Sequence, residues 1–241
     1  MKKALIIIPA RLAARRLPNK PLIKIGKKPM ILHVLEKAKK TKIGEVFVTT
    51  PDIKIKKIVE NIGGKVILTS DKALTGTDRV FEAFKIINFK ADYIINLQGD
   101  MPNVNYDSII KLKNLMEQDD CDIGTLASNL ENYEEINKES IVKVRVKKKL
   151  QGNLFLKADD FFRKSNKKNL QNIYHHIGIY CFRKESIKKF YNLKRSGIEI
   201  KRSLEQMRAL ENNMSIKVAF TESNPLSVDT EEDLVQIRKE I

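Results

Sequence analysis

Residues 4–22 read Ala-Leu-Ile-Ile-Ile-Pro-Ala-Arg-Leu-Ala-Ala-Arg-Arg-Leu-Pro-Asn-Lys-Pro-Leu. The apolar β-branched run at the start ends at Pro9, which cannot donate a hydrogen bond to a neighbouring strand. Four cations follow within ten residues: Arg11, Arg15, Arg16 and Lys20. Because open α/β sheets bind ligands beyond the carboxyl ends of their strands, this order predicts a polyanion site. A solvated basic turn is the alternative interpretation of the same charges.

Short apolar strands alternate with helices through the first half of the chain. The pattern predicts strands at 5–8, 45–49, 65–69 and 93–97, and helices at 30–40, 53–62 and 78–87. The strand at 93–97 is predominantly apolar, which is typical of burial on both faces. The alternation predicts right-handed βαβ units on a mostly parallel sheet, and therefore an α/β fold.

The second half is less regular. Strands are predicted at 121–127, 141–146, 177–182 and 216–220, and helices at 185–191, at 203–212 and after Thr230 as N-cap. The polar, lysine-rich stretch 147–171 receives no assignment. Since no repeat and no clear linker interrupts the chain, residues 1–241 are predicted to form a single domain.

Composition limits the classes of protein that fit. The formal net charge is +16, but the lysines are scattered and no nucleic-acid-binding motif accompanies them, so we expect no nucleic-acid partner. A basic nucleic-acid-binding protein is the competing class. Two cysteines and three histidines lack the spacing of a zinc site. No run approaches the ~20 apolar residues of a membrane span, so we expect a cytoplasmic protein without membrane insertion.

Two carboxylates and one glutamine are candidates for chemistry beside the basic loop. No glycine-rich phosphate-binding motif is present, so charged side chains must take over that task. Gln98-Gly99-Asp100 follows the buried strand, where Asp100 is placed to hold Mg²⁺ together with substrate phosphates. An aspartate in an ordinary turn is the alternative. Asp229 is either a residue before the last helix or a second ligand of the same metal.

Other polar residues stand at the ends of predicted elements. Thr77 is predicted to cap the helix at 78–87, and Gly76 would allow close approach of a base or ribose. His176 enters an apolar strand, where it is either structural or a donor to a sugar carboxylate or hydroxyl. Glu205 and Gln206 are the polar candidates on the helix at 203–212.

Six stretches, in order between residues 6 and 234, carry a family resemblance. They are Ile-Ile-Pro-Ala-Arg with Arg-Leu-Pro-Asn-Lys-Pro-Leu, Thr-Gly-Thr-Asp-Arg, Leu-Gln-Gly-Asp, His-Ile-Gly-Ile-Tyr, Leu-Glu-Gln-Met-Arg and Val-Asp-Thr-Glu-Glu-Asp-Leu. Together they closely resemble the 3-deoxy-D-manno-octulosonate (Kdo) cytidylyltransferases, or CMP-Kdo synthetases.

The resemblance implies a homodimer that transfers CMP from CTP to Kdo with Mg²⁺, for lipopolysaccharide biosynthesis. It also implies a Rossmann-like, nucleotide-diphospho-sugar transferase type of α/β fold, with a smaller mixed β part for dimerisation and sugar binding. By this likeness the catalytic residues are Arg11, Arg16, Lys20 and Asp100. The implied cytidine contacts are Ala10, Thr75, Gly76 and Arg79, and Gln98 also belongs to the nucleotide site. The implied triphosphate contacts are Arg11, Arg16 and Lys20. The implied sugar contacts are Gln98, His176, Glu205 and Gln206, and the metal ligands are Asp100 and Asp229.

The chain also departs from the usual family pattern. Ala14-Arg15 replaces a small hydroxyl pair, Asn19 a glycine, Ala73 a histidine, Met101 a glutamate and Arg202 a second glutamate. Residues 153–165 lack the family's Ser-Arg…Ile-Pro segment. Because most of these departures fall on the sugar side, a modified ulosonate such as 8-amino-Kdo is the alternative acceptor.

Overall fold

The computed structural model describes residues 2–13, 16–87, 89–164 and 171–241. Arg15 of the basic loop and residue 165 of the 153–165 segment lie outside the described residues. The chain forms two compact units: Met1–Ile110 with Pro225–Ile241, and Lys111–Asn224. The single domain over residues 1–241 stays a prediction.

The strands and helices are as follows. The strands are β1 (Ala4–Pro9), β2 (Lys24–Ile25), β3 (Lys28–Pro29), β4 (Gly44–Thr50), β5 (Lys65–Leu68), β6 (Tyr93–Asn96), β7 (Ile123–Ser128), β8 (Lys143–Val146), β9 (Phe155–Phe162), β10 (Ile173–Arg183) and β11 (Ile216–Phe220). The helices are α1 (Met30–Lys40), α2 (Ile53–Glu60), α3 (Gly76–Ile86), α4 (Tyr106–Glu117), α5 (Lys184–Asn192), α6 (Gly197–Arg202), α7 (Gln206–Glu211) and α8 (Glu231–Glu240).

The first unit is built on a parallel sheet with β1 at its centre. β1 pairs in parallel with β4 and with β6, and β4 pairs in parallel with β5. The run Leu5–Ile8 is completely buried, as its β-branched sequence predicts. β4 begins at Gly44, where a Cβ atom would lie only 1.8 Å from the Ala4 carbonyl oxygen. A glycine is therefore required where these strands approach. The predicted α/β fold is confirmed.

Helices cover this sheet, and the last one returns to the first unit. α1 contacts β4, α2 contacts β4 and β5, and α3 contacts β1. α8 buries Leu234 and Ile237 in a cluster with Leu17, Ile25 and Met30. Thr230 caps α8 as predicted, because its hydroxyl accepts from the Asp233 amide at 3.2 Å.

The second unit contains a ring of five strands. β10 pairs antiparallel with β7, β7 parallel with β11, β11 antiparallel with β9, β9 antiparallel with β8, and β8 antiparallel with β10. The ring closes because β10 is long: residues 173–175 pair with β8, while the pairing with β7 runs from 175 to 182. β9 lies in the stretch that the sequence left unassigned. This unit is the mixed β part of the chain.

The helices differ from the predictions in three places. α3 begins at Gly76 and is capped by Thr75, not Thr77, because Thr75 and Asp78 form a reciprocal capping box. The helix predicted at 203–212 is shorter, since α7 runs from Gln206 to Glu211, and Ser203, with a φ of 52°, ends α6, which was not predicted. α4 was not predicted. Within the described residues, no helix is both long enough and apolar enough to span a membrane.

Candidate active site

A cavity of about 600 Å³ lies in the first unit, beyond the carboxyl ends of β1 and β6. It is lined by ten of the predicted site residues: Ala10, Arg11, Arg16, Lys20, Thr75, Gly76, Arg79, Gln98, Asp100 and Asp229. The other three predicted residues, His176, Glu205 and Gln206, belong to the second unit.

Hydrogen bonds of main-chain amides hold the start of the basic loop to neighbouring residues of the first unit, and join the end of the loop to its start. The Ala10 amide donates to the Thr49 carbonyl at 2.9 Å, and the Leu12 amide donates to the Asp52 carboxylate at 2.9 Å. The Asn19 amide then donates back to the Leu12 carbonyl at 3.1 Å. Hydrogen bonds therefore hold the described residues at the start and the end of the loop.

Asn19 explains one departure from the family pattern. Its φ of 56° lies in the left-handed region, which glycine enters freely and which asparagine tolerates better than most side chains. This conformation is compatible with an asparagine at a position where the family pattern has a glycine. Directly after Asn19 the chain turns through Lys20–Leu22, and this turn aims Lys20 into the cavity.

Lys20 lies between the two candidate metal ligands. Its Nζ donates to Asp100 Oδ2 at 2.7 Å and to Asp229 Oδ1 at 2.8 Å. Arg16 contacts the other oxygen of Asp229 at 2.8 Å. Burial acts to lower the pKa of Lys20, but the charges of Asp100 and Asp229 outweigh it and the pKa lies above its ordinary value. Lys20 is therefore a cation in this cluster.

The two carboxylates are brought together by close backbone packing. The Val228 amide donates to the Asp100 carbonyl at 2.9 Å, which fixes the segment before α8 beside the end of β6. Gly99 lets the end of β6 lie close to the end of β1, since a Cβ atom there would lie 2.9 Å from the Pro9 carbonyl oxygen. The sequence suggested that Asp229 joins Asp100 at one metal, but it gave no sign that Lys20 contacts both carboxylates.

The donor set fits a magnesium ion that shares its coordination with phosphate. Among the described residues, Asp100 Oδ1 is buried without a hydrogen-bond partner, and no group of three or more histidine, cysteine, aspartate or glutamate residues could hold a metal. Mg²⁺ typically takes one or two carboxylates and completes its shell with substrate phosphates and water. Asp100 and Asp229 meet that requirement.

Arg79 is a buried cation at the cavity wall. Its Nη1 donates to Thr69 Oγ1 at 2.9 Å and to the Ser70 carbonyl at 2.8 Å. Burial, and secondarily the charge of Arg11, lowers the pKa of Arg79. Part of its hydrogen-bonding capacity therefore fixes the segment that leads to Thr75.

Gln98 is oriented by a buried relay that the sequence reasoning missed. Its Nε2 donates to Asn96 Oδ1 at 3.0 Å, and Asn96 Nδ2 donates to Thr77 Oγ1 at 3.0 Å. This arrangement leaves the Gln98 carbonyl oxygen beside Gly76, 3.5 Å from where a Cβ atom would stand. Asn96 is a polar residue inside the otherwise apolar run 93–97, and this was the signal in the sequence that could have indicated its role.

His176 is a buried, neutral side chain in the second unit. Its Nε2 lies 2.9 Å from Thr125 Oγ1, and the Thr125 hydroxyl lies 2.8 Å from the Ile179 carbonyl, which can only accept. The Thr125 proton therefore goes to the carbonyl, and His176 donates through Nε2. Burial, and then the charge of His175, lowers the pKa of His176 to about 3.

Tyr180 lies beside His176. The rings of His176 and Tyr180 have centroids 5.6 Å apart. Burial, followed by the charge of Glu205, raises the pKa of Tyr180. Gln206, at the start of α7, is buried. Tyr180 was not a predicted site residue, although it ends the motif His-Ile-Gly-Ile-Tyr.

We expect the neutral state of His176 to make stability sensitive to acid. In the unfolded chain the pKa of histidine is near 6.5, so the unfolded chain binds a proton below that pH while folded His176 stays neutral. The unfolding free energy therefore falls as the pH is lowered from about 6.5 to about 3. Between pH 7 and 5, wild type should lose about 2 kcal/mol more of its unfolding free energy than His176→Gln. Urea titrations measure this, and between pH 8 and 7 the two proteins should change in parallel. Equal losses down to pH 5 would contradict the assignment.

Fold and cavity together define a class of protein. Cations suited to phosphate and carboxylates suited to Mg²⁺ converge at the carboxyl edge of a parallel sheet, as expected of an α/β nucleotidyl-transfer enzyme. The sequence matches the family described as Cytidylyltransferase over residues 5–216.

Individual relatives narrow the class. The chain is 40% identical over 237 residues to the 3-deoxy-manno-octulosonate cytidylyltransferase of Bartonella tribocorum, and the match covers 98% of this chain and 97% of that protein. The corresponding enzyme of Bartonella henselae is also 40% identical, with the same coverage. The solved structure of CMP:2-keto-3-deoxy-manno-octonic acid synthetase complexed with CTP superimposes with a TM-score of 0.89 at 33% identity, covering 99% of this chain and 98% of that one.

The chain therefore belongs to the 3-deoxy-manno-octulosonate cytidylyltransferase family. The resemblance inferred from the six motifs is confirmed, and so is the predicted class of enzyme, a cytidylyltransferase.

Proposed function

We propose that the chain transfers CMP from CTP to the anomeric hydroxyl of Kdo and releases pyrophosphate. The observation that carries this proposal is the cavity in which Arg11, Arg16 and Lys20 face Asp100 and Asp229. The names of the full-length relatives and the CTP complex of the solved neighbour support the substrates.

The reaction is a displacement at phosphorus. The anomeric oxygen forms a bond to the α-phosphorus, while the bond from that phosphorus to the oxygen bridging to the β-phosphorus breaks. The electron pair leaves with pyrophosphate, and the hydroxyl proton passes to solvent. Such transfer depends mainly on in-line positioning and on neutralisation of charge. The cations of the cavity would neutralise the phosphates and hold them in position.

Within this proposal the cavity residues divide between phosphates and cytidine. Arg11, Arg16 and Lys20 bind the triphosphate, since they project from the anchored basic loop. Cytidine is bound by Ala10, Thr75, Gly76 and Arg79. Arg79 is held from behind by Thr69 and Ser70, which supports a role as a rigid wall of the cytidine site.

Asp100 and Asp229 would hold Mg²⁺. When bound, the ion would neutralise phosphate charge and orient the leaving group. The buried, unpartnered Asp100 Oδ1 supports this role among the described residues.

Gln98, His176, Glu205 and Gln206 are the proposed contacts of the sugar acid. The fixed orientation of Gln98 suits recognition of a hydroxyl or carboxylate group. Neutral His176 donates its one ring proton to Thr125, so its other ring nitrogen can only accept a hydrogen bond, for example from a sugar hydroxyl. We add Tyr180 to this set because its ring lies beside His176 and its pKa responds to Glu205.

The alternative acceptor is motivated by the departures from the family pattern, and two of these departures are in contact. Arg202 Nη1 donates to Asp160 Oδ1 at 2.5 Å and to the Phe161 carbonyl at 2.6 Å, so two departures from the family pattern contact each other. Turnover measured with Kdo and with 8-amino-Kdo, by pyrophosphate release, tests the acceptor. Preference for Kdo supports the main proposal, and release only with the amino analogue moves the acceptor to a modified ulosonate. If neither acceptor led to pyrophosphate release, both the main proposal and the alternative would be contradicted.

We expect Arg16→Ala to raise the KM for CTP about tenfold with a smaller change in kcat, because it removes one phosphate cation. Arg16 is suited to binding the triphosphate of incoming CTP, since its side chain is 59% exposed and contacts Asp229. Arg238→Ala, an exposed arginine on α8 outside the cavity, is the control. Steady-state kinetics over a CTP series measure the effect, and an unchanged KM for CTP would contradict the role.

The remaining expectations rest on the family resemblance. We propose that residues 1–241 act as one cytidylyltransferase domain, since the family match spans residues of both units. We also propose a cytoplasmic homodimer that serves lipopolysaccharide biosynthesis.

A further inference from the structure

Lys20 bridges two carboxylates that are distant in sequence. Its ammonium group uses two of its three donors on Asp100 and Asp229, at 2.7 and 2.8 Å. Its side chain is only 15% exposed, so these contacts are sheltered from solvent. One lysine thereby compensates charge on both carboxylates of the cavity.

We propose that Lys20 is an internal counter-ion that occupies Asp100 and Asp229 until the nucleotide draws it away, so that nucleotide and divalent metal bind cooperatively. This inference rests on the proposed function, because it takes the triphosphate and the metal to bind at these residues.

The geometry makes Lys20 and a metal competitors. A divalent ion would bind the same two carboxylates that Lys20 now contacts, and an ammonium group held beside the ion would repel it. Asp100 and Asp229 cannot move apart easily, because the Val228 amide is bonded to the Asp100 carbonyl and the Asp229 amide to Asp233. The flexible four-carbon stem of Lys20 is the part that can move.

The nucleotide supplies the force that moves it. A triphosphate brings several negative charges into the cavity, and Lys20 reaches the cavity from the anchored basic loop. When its ammonium group turns to phosphate, oxygen atoms of both carboxylates become available to the metal. By linkage, the nucleotide then strengthens metal binding by the same factor as the metal strengthens nucleotide binding.

Metal binding by the nucleotide-free protein tests the inference without catalysis. Mn²⁺ would be titrated into the full chain while the electron paramagnetic resonance signal of free Mn²⁺ is followed. We expect Lys20→Met to bind Mn²⁺ about tenfold more tightly than wild type, within the usual range of such couplings. Lys24→Met, an exposed lysine outside the cavity, should match wild type. Lys20→Arg keeps the cation and should also stay close to wild type.

The outcomes separate the inference from the function on which it rests. Equal or weaker Mn²⁺ binding by Lys20→Met would overturn the counter-ion role, and Lys20→Gln provides a second neutral variant if the methionine fails to fold. Tighter binding that Asp100→Asn abolishes in the Lys20→Met background supports it. Tighter binding that survives Asp100→Asn would place the ion elsewhere, which overturns both the inference and the proposed metal site.

Discussion

Asp100→Asn is expected to lower kcat on the order of 10³-fold while the protein stays folded, as loss of a preorganised charge at a transfer site does. Asparagine keeps the shape of the side chain and can still accept a hydrogen bond from Lys20. It lacks the negative charge that a divalent ion requires. The variant thus separates the chemistry of the carboxylate from its place in the fold.

The fold should tolerate this change because Lys20 keeps a second partner. Asp229 Oδ1 lies 2.8 Å from Lys20 Nζ, so the cation is not left unpaired. Pyrophosphate release measures the activity, and urea unfolding measures the stability. The control is Asp107→Asn, an exposed aspartate in the first turn of α4. If Asp100→Asn and the control had equal kcat, Asp100 could not be a metal ligand.

Glu199→Gln is expected to lower the unfolding free energy by about 3–5 kcal/mol, because it breaks a buried ion pair and leaves a buried cation. Arg208 donates two hydrogen bonds to the Glu199 carboxylate, from Nε at 2.9 Å and from Nη2 at 2.7 Å. The side chain of Arg208 is only 2% exposed and that of Glu199 only 1%. Arg195 adds a third contact at 3.0 Å. Burial acts to raise the pKa of Glu199, but its arginine contacts outweigh it and the pKa is lowered.

This ion pair ties α6 to α7 and so sets the position of Glu205 and Gln206. Glutamine keeps the volume of the side chain, so the measured loss reports charge rather than packing. The control is Glu185→Gln, whose partner Lys188 is exposed, and such surface pairs contribute at most about 1 kcal/mol. Urea unfolding of both variants gives the comparison. Equal losses would mean that the buried pair adds nothing beyond a surface pair.

Local sequence signals predicted the framework of the first unit well. The run Leu5–Ile8 was predicted as a buried strand because β-branched residues precede a proline, and the structure buries it fully. Thr230 was predicted as an N-cap because three acidic residues follow it, and it caps α8. These features depend on neighbours in the chain, so the sequence carries them directly.

Errors arose where a local pattern had more than one solution. Thr75 and Thr77 both suit an N-cap, and the choice falls to Thr75 because Asp78 completes its capping box. The helical period at 203–212 gave no sign of Ser203 in the left-handed region, which ends α6. β9 was missed because its aromatic residues are interrupted by Lys157 and two aspartates.

The candidate site could be predicted residue by residue but not as an arrangement. The family motifs implied that Asp100 and Asp229 share a metal and that Lys20 binds phosphate, and the structure brings all three into one cluster. Residues 20 and 229 are remote in the chain, so their contact depends on the return of α8 to the first unit. The buried relay through Asn96 likewise requires β6 beside α3.

The central claim is that the α-phosphorus of CTP is transferred to a sugar oxygen, and ³¹P NMR of a reaction with CTP, Kdo and Mg²⁺ tests it most directly. The account predicts that the three CTP resonances are replaced by pyrophosphate and by one phosphodiester resonance of a CMP-sugar, in equal molar amounts. Formation of CMP or CDP without a phosphodiester product would show hydrolysis instead, and would contradict the account.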